Sequence, residues 1–175
     1  MKKLAFVGLL AILGIIGAGV YFFGGYYDVA GTLDDPAVVD WSLKRIRLSS
    51  VQRHAVETPP ATLNDPAVVR NGARAFSVRG CPTCHGAPGV TWVKFSEGLR
   101  PDPPDLKDIA KERPSPQVFW VIKNGIKMTG MPSFGSIGVP DDEIWSIVAF
   151  VKKLPEVSDA DYKSWSAPPV ITPVR

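Results

Sequence analysis

The feature that most constrains this 175-residue chain is the run LAFVGLLAILGIIGAGVYFF, Leu4 to Phe23, 20 residues without a charge. At about 1.5 Å per residue, a helix of that length matches the roughly 30 Å hydrocarbon core of a bilayer. Lys2 and Lys3 precede it and Asp28 is the first charge after it. The positive-inside rule then keeps the N-terminus in the cytoplasm and exports the rest. Tyr21, Phe22, Phe23, Tyr26 and Tyr27 gather at the far end, as an interfacial aromatic belt would. The competing reading is a cleaved signal peptide, for which Ala18-Gly19 and Ala30-Gly31 offer weak cleavage sites. The length of the run and the aromatic exit favour a retained single-pass anchor in the inner (cytoplasmic) membrane. The domain that follows is then expected on the periplasmic or extracytoplasmic side.

What remains is long enough for one hydrophobic core. Seventeen prolines and 16 glycines require short helices and much loop, which argues against a long-helix bundle. A formal charge of +3, from 20 Lys and Arg against 17 Asp and Glu, carries no nucleic-acid footprint.

The expected organisation is an anchor over residues 1–27, a helical segment and linker over 28–60, a main domain over 61–155 and a tail over 156–175. Val38, Trp41, Ile46, Leu48 and Val51 alternate with Lys44, Arg45, Arg47 and Arg53, which predicts an amphipathic helix within 36–56. Leu33-Asp34-Asp35-Pro36-Ala37-Val38-Val39 returns as Leu63-Asn64-Asp65-Pro66-Ala67-Val68-Val69. Both copies carry helix-start chemistry, and two copies do not make a solenoid. Further helices are expected from about Pro66 to Val78, from Ser115 to a stop at Gly125, and from Asp141 to Pro155. Ordered loop is expected between Gly86 and Pro114. No strand is predicted, so the fold class is all-α.

Cys81-Pro82-Thr83-Cys84-His85 contains both cysteines of the chain. C-x-x-C-H is the c-type haem attachment signature: two thiols three residues apart on a helical turn can each form a thioether to one haem vinyl group. The next residue, His85, then becomes the proximal ligand. A thioredoxin-like dithiol needs a strand-rich setting. A zinc site needs four ligands, and the chain has only two Cys and two His, so His54 or a carboxylate would have to join. Chance occurrence is the remaining alternative. The expectation is one covalently bound haem c.

A sixth iron ligand would come from His54, Met128 or Met131. Met131 is favoured: it lies 46 residues after His85, beyond a helix, and Pro132 stiffens its loop. Met128 reads otherwise as a crevice-wall methionine and His54 as a surface histidine.

At this point residues 62–155 resemble the class I cytochrome c family. The resemblance rests on Gly72 and Phe76 in a leading helix, on C-x-x-C-H-G, on Pro104-Asp105-Leu106, on a Met131-Pro132 loop and on Phe150 in a terminal helix. It is nearest to bacterial membrane-bound or periplasmic monohaem proteins with a G-I-K-M-T-G-M-P stretch, here Gly125 to Pro132. One departure is that Phe76 stands five residues before Cys81 where many relatives have four. The resemblance implies a small domain of short helices around one haem, with His85 and Met131 as iron ligands. The Pro104 carbonyl would accept a hydrogen bond from His85, and Gly72 and Phe76 would pack near Phe150. It also implies a crevice lined by Phe76, Leu106, Trp120, Ile126 and Phe134, with Arg100 or Trp120 as partner of a haem propionate.

A His/Met haem has no open position, so electron transfer is expected and a small-molecule substrate is not. Lys94, Lys107, Lys123 and Lys127 could steer an acidic redox protein, or be ordinary solvated surface. The partner would be a redox protein or a membrane oxidoreductase complex, served by a tethered shuttle or a haem subunit. Two alternatives stand beside this: a haem-based sensor or enzyme with a displaceable sixth ligand, and a structural subunit that docks through the 36–56 helix.

Overall fold

The computed structural model describes residues 2–167 and divides the chain into two units, one ending at Asp35 and one beginning at Pro36. In the first, helix α1 covers Lys2–Phe23 with none of its side chains buried. By length and composition it can cross a membrane. Gly24 N–H donates to Val20 O (2.8 Å) as the helix ends. Beyond it Tyr27 packs edge-on against Tyr21 and tilted against Phe22, with ring centroids 6.1 and 5.2 Å away, and its hydroxyl donates to Asp35.

In the second unit the helices are α2 (Ala37–His54), α3 (Pro66–Val78), the single turn α4 (Pro82–His85), α5 (Leu106–Glu112), α6 (Ser115–Asn124), α7 (Asp141–Lys153) and α8 (Asp159–Ser166). Among the described residues there is no strand, only an isolated antiparallel bridge between Ala87 and Val90. Local chemistry sets the ends. Pro66 occupies the first turn of α3 while the Asp65 carboxylate accepts from Ala67 N–H (2.8 Å). Gly125 stops α6 at φ +67°, where a Cβ would sit 2.7 Å from the Pro132 carbonyl carbon. Asp141, Asp142 and Glu143 open α7 and Lys152 and Lys153 close it, matching the helix dipole at both ends.

The core is built where α3 crosses α7. Gly72 permits the crossing, since a Cβ there would fall 1.8 Å from Ser146 O. Phe76 and Phe150, both fully buried, meet with centroids 5.2 Å apart, and Ile144, Ile147 and Val148 fill the rest. Phe119 of α6 stacks on Trp145 at 4.1 Å. Each large side chain buried here contributes about 1.5–3 kcal/mol of transfer free energy.

Three elements differ from the sequence reading. Helix α2 forms, yet its apolar residues do not make one stripe: Val38, Trp41, Leu43 and Ile46 are all exposed and only Val51 is buried. Helix α5 lies inside the stretch read as loop, with Asp105 accepting from Lys107 N–H (2.7 Å) as its cap. Helix α8 lies in the stretch read as tail. Ser158 caps it through Asp161 N–H (3.1 Å), and buried Tyr162 stacks on Phe150 at 5.7 Å. Residues 168–175 of that tail lie outside the described residues.

Candidate cofactor site

Gly80 at φ +76° breaks the chain away from α3, and Cys81 N–H returns to Phe76 O (3.1 Å). That bond seats the next turn against the core. Within the turn His85 N–H donates to Cys81 O (3.1 Å) and Gly86 N–H to Pro82 O (2.9 Å), so one helical turn carries Cys81, Cys84 and His85. The two cysteines are not joined to each other, and both are half-buried. Burial pushes the Cys81 thiol up to about 12. A redox dithiol works through a low-pKa thiolate, so this setting disfavours the thioredoxin-like reading. Among the described residues no group of three or more His, Cys, Asp or Glu side chains is arranged to hold a metal ion, as a zinc centre would require.

His85 Nδ1 lies 3.1 Å from the carbonyl oxygen of Pro104. Because a carbonyl only accepts, Nδ1 carries the proton and Nε2 is left with a free lone pair. Burial pulls the imidazole below its ordinary pKa, and the Pro104 bond opposes that in part. The shift favours the neutral ring that metal ligation requires.

A cleft of about 550 Å³ opens on this side. Cys84, His85, Pro104, Arg100, Val90 and Trp92 are among its walls. Arg100 Nη1 donates to Leu99 O (3.0 Å) and Glu97 O (3.2 Å) and pairs with Asp102, so that nitrogen is spent on its own loop. Trp92 is a wall residue to which the motifs do not point. The one signal for it in the sequence is its place seven residues after His85, just past a Pro-Gly turn.

The other expected site residues fall elsewhere. Met131 and Leu106 are half-buried against the core and Phe134 is part of it. Thr129 organises the Met131 loop: its hydroxyl donates to Ile126 O (2.8 Å) and accepts from Met131 N–H (3.1 Å). Ile126 N–H donates to Met131 O (3.2 Å), which closes the loop. Gly130 brings it against Leu99, whose Cδ1 would be 2.9 Å from a Cβ. Met128, by contrast, is 93% exposed at φ +58°. Trp120 does not line the cleft; its ring stacks on exposed His54 at 6.1 Å, and His54 Nδ1 sits 2.8 Å from Ser50 O.

Two thiols on one turn, followed by an imidazole whose outer nitrogen is satisfied, fit the attachment turn of a c-type haem. The all-helical fold and the C-x-x-C-H turn are those of a class I cytochrome c domain, which suggests haem-based electron transfer. More narrowly, residues 67–151 match the family model described as cytochrome C oxidase, cbb3-type, subunit III. No curated protein and no solved structure matches the chain.

Proposed function

We propose that the domain holds one haem c through thioethers at Cys81 and Cys84, with His85 Nε2 and the Met131 sulfur as iron ligands. When bound, such a haem supplies an iron centre that takes up and releases one electron. The observation that carries this reading is the His85–Pro104 hydrogen bond. It fixes the tautomer and ring orientation and raises the basicity of the ligating nitrogen. Met131 is preferred to Met128 because its loop is hydrogen-bonded and its side chain half-buried, whereas Met128 projects into solvent. Phe134 and Leu106 would exclude water, which favours the less charged reduced state.

Helix α1 would hold this domain at the inner membrane, on the periplasmic or extracytoplasmic side, as the Lys2 and Lys3 flank implies. Tethering raises the effective concentration toward membrane partners. The match to an oxidase subunit model supports a redox protein or an oxidoreductase complex as partner. Lys107 and Lys127, which have no ion-pair partner among the described residues, are the cations best free to steer an acidic surface, while Lys123 is paired to Asp141 at 2.8 Å.

The test is the optical spectrum of the purified protein, oxidised and reduced, for the parent, Met131→Ala and Met128→Ala. The weak red band of a methionine–ferric bond should be present in the parent and Met128→Ala and lost in Met131→Ala. A parent that lacks the band and readily binds carbon monoxide when reduced would have an open sixth position, and the electron-carrier reading would give way to ligand sensing.

A further inference from the structure

Lys152 of α7 is half-buried, and among the described residues no carboxylate pairs with it. Its Nζ donates instead to two backbone carbonyls, those of Ala110 and Arg113, the second at 2.9 Å. Ala110 lies in the last turn of α5 and Arg113 is its C-cap. The carbonyls at a helix C-terminus lack intrahelical partners, and a cation suits the negative end of the dipole. Against the core α5 places buried Ala110 and half-buried Leu106 and Ile109. Such apolar contact is non-directional and does little to stop a helix sliding along its axis. Hydrogen bonds from a fixed cation do stop it.

We propose that Lys152 is a positioning residue for His85: it fixes α5 along its axis on α7 and so keeps the Pro104 carbonyl on the His85 ring. This rests on the haem reading above and extends it. Both partners of the His85–Pro104 bond are tied to α7 within two residues of each other. On one side Phe150 packs on Phe76, whose carbonyl accepts from Cys81 N–H (3.1 Å) at the head of the attachment turn. On the other, Lys152 holds the far end of α5, whose near end begins at Asp105, directly after Pro104. At about 1.5 Å per residue, α5 is a strut of roughly 10 Å between Lys152 and Pro104. The Pro104 carbonyl stands 3.1 Å from His85 Nδ1, so withdrawing α5 by about 1.5 Å, the rise of one residue, ends that bond. Asp105 sets the chain direction at the start of α5, and Lys152 sets where α5 stands. Losing Lys152 has two effects of opposite sign at the iron. Removing a cation by itself favours the more highly charged ferric state and lowers the potential. Freeing His85 Nδ1 makes the ring a weaker donor and raises it.

The experiment uses the purified full-length holoprotein: parent, Lys152→Met, Lys152→Arg and, as a control for charge, Lys153→Met. Lys153 is the next residue on α7 and pairs with Glu156 at 3.4 Å, away from α5. Covalent haem is read on a denaturing gel, the red band by absorption, the potential by equilibrium titration, and solvent exchange of the His85 Nδ1 proton by NMR of the reduced protein. Covalent haem and the red band should persist throughout, since the Met131 loop is tied by Thr129 and Ile126. In Lys152→Met the potential rises and the His85 proton exchanges several-fold faster. Lys152→Arg, which keeps the charge and the donors, returns both towards the parent, while Lys153→Met leaves the exchange unchanged and does not raise the potential. If Lys152→Met does not fold, Lys152→Gln, with a neutral donor on a shorter stem, is read in the same way and should show smaller changes of the same sign. In the unmutated protein the Lys152 ammonium protons should exchange slowly and lie close to protons of α5. Rapid exchange there, parental His85 exchange in the Lys152 variants, or a potential that falls in Lys152→Met overturns this inference and leaves the proposed function standing. A parent without covalent haem overturns both.

Discussion

His85 Nδ1 and the carbonyl oxygen of Pro104, nineteen residues apart, lie 3.1 Å from each other, and what holds the carbonyl in place is the next residue. Asp105 caps α5 by accepting from Lys107 N–H (2.7 Å), fixing the chain direction just after Pro104. Asp105→Ala should cost about 1 kcal/mol of stability, the usual worth of an N-cap. It should also raise the reduction potential, because a freed Nδ1 makes His85 a weaker donor. Asp105→Asn keeps a capping side chain and removes only the charge. The rise in Ala beyond that in Asn therefore isolates the carbonyl's contribution; equal rises would show that Pro104 stays in place without the cap. Denaturant midpoints and equilibrium redox titration give both readouts.

The α3–α7 crossing makes a stability prediction. Adding one methyl group at Gly72 would drive a Cβ to 1.8 Å from Ser146 O and 3.0 Å from Phe150 Cβ, and a backbone carbonyl cannot swing aside. Gly72→Ala should destabilise by about 3 kcal/mol or more, at or beyond the upper end of ordinary overpacking. A Cβ added at Gly98 would meet nothing within 4 Å, so Gly98→Ala should stay within about 0.5 kcal/mol of the parent. Chemical denaturation of the two variants decides it.

How much of this was legible beforehand depended on the strength of local punctuation. Asp65-Pro66, Ser115-Pro116 with Gly125, and the acidic triplet at Asp141 marked α3, α6 and α7, because caps and prolines act within one turn and need no tertiary context. Helices α5 and α8 escaped for one reason: at seven and eight residues they are too short for an apolar period, and each buries a single side chain, Ala110 and Tyr162. Their caps, Asp105 and Ser158, were nonetheless present in the sequence. At the site, one helical turn carries Cys81, Cys84 and His85, and the Pro104 carbonyl lies 3.1 Å from His85 Nδ1. Trp120 went to a stack with His54, and the indole at the cleft is Trp92, whose only mark in the sequence was its place shortly after the C-x-x-C-H turn.

Arg79 at the end of α3 binds Glu143 at the start of α7 with two parallel hydrogen bonds, Nε to Oε1 at 2.6 Å and Nη2 to Oε2 at 3.0 Å. That contact holds the Glu143 carboxyl below its ordinary pKa. Because the folded value is depressed, the pair's stabilisation is present above the unfolded carboxylate range, about 4.3, and is lost as pH falls through the folded value. Both side chains are roughly one-third exposed, so a double-mutant cycle with Arg79→Met and Glu143→Gln should give a coupling of about 0.5–1 kcal/mol at pH 7. The coupling should vanish at a pH below the folded value. A coupling that persists there would have to arise from packing of the two stems and not from charge.

Thr129 separates stability of the Met131 loop from stability of the domain. Its hydroxyl makes two hydrogen bonds, to Ile126 O and from Met131 N–H. Thr129→Val keeps the volume and removes both bonds, each worth about 1 kcal/mol. The loop's remaining tie is Ile126 N–H to Met131 O, at 3.2 Å. The core around Phe76 and Phe150 does not touch this hydroxyl. In a denaturant titration followed by two probes, far-ultraviolet circular dichroism should shift little for Thr129→Val, whereas the red methionine–iron band should disappear at clearly lower denaturant than in the parent. A common shift of both probes would mean that the loop and core open as one cooperative unit. If neither moves, the hydroxyl's two bonds are replaced by water at no cost, and the position of Met131 is set by Gly125, Gly130 and Leu99 instead.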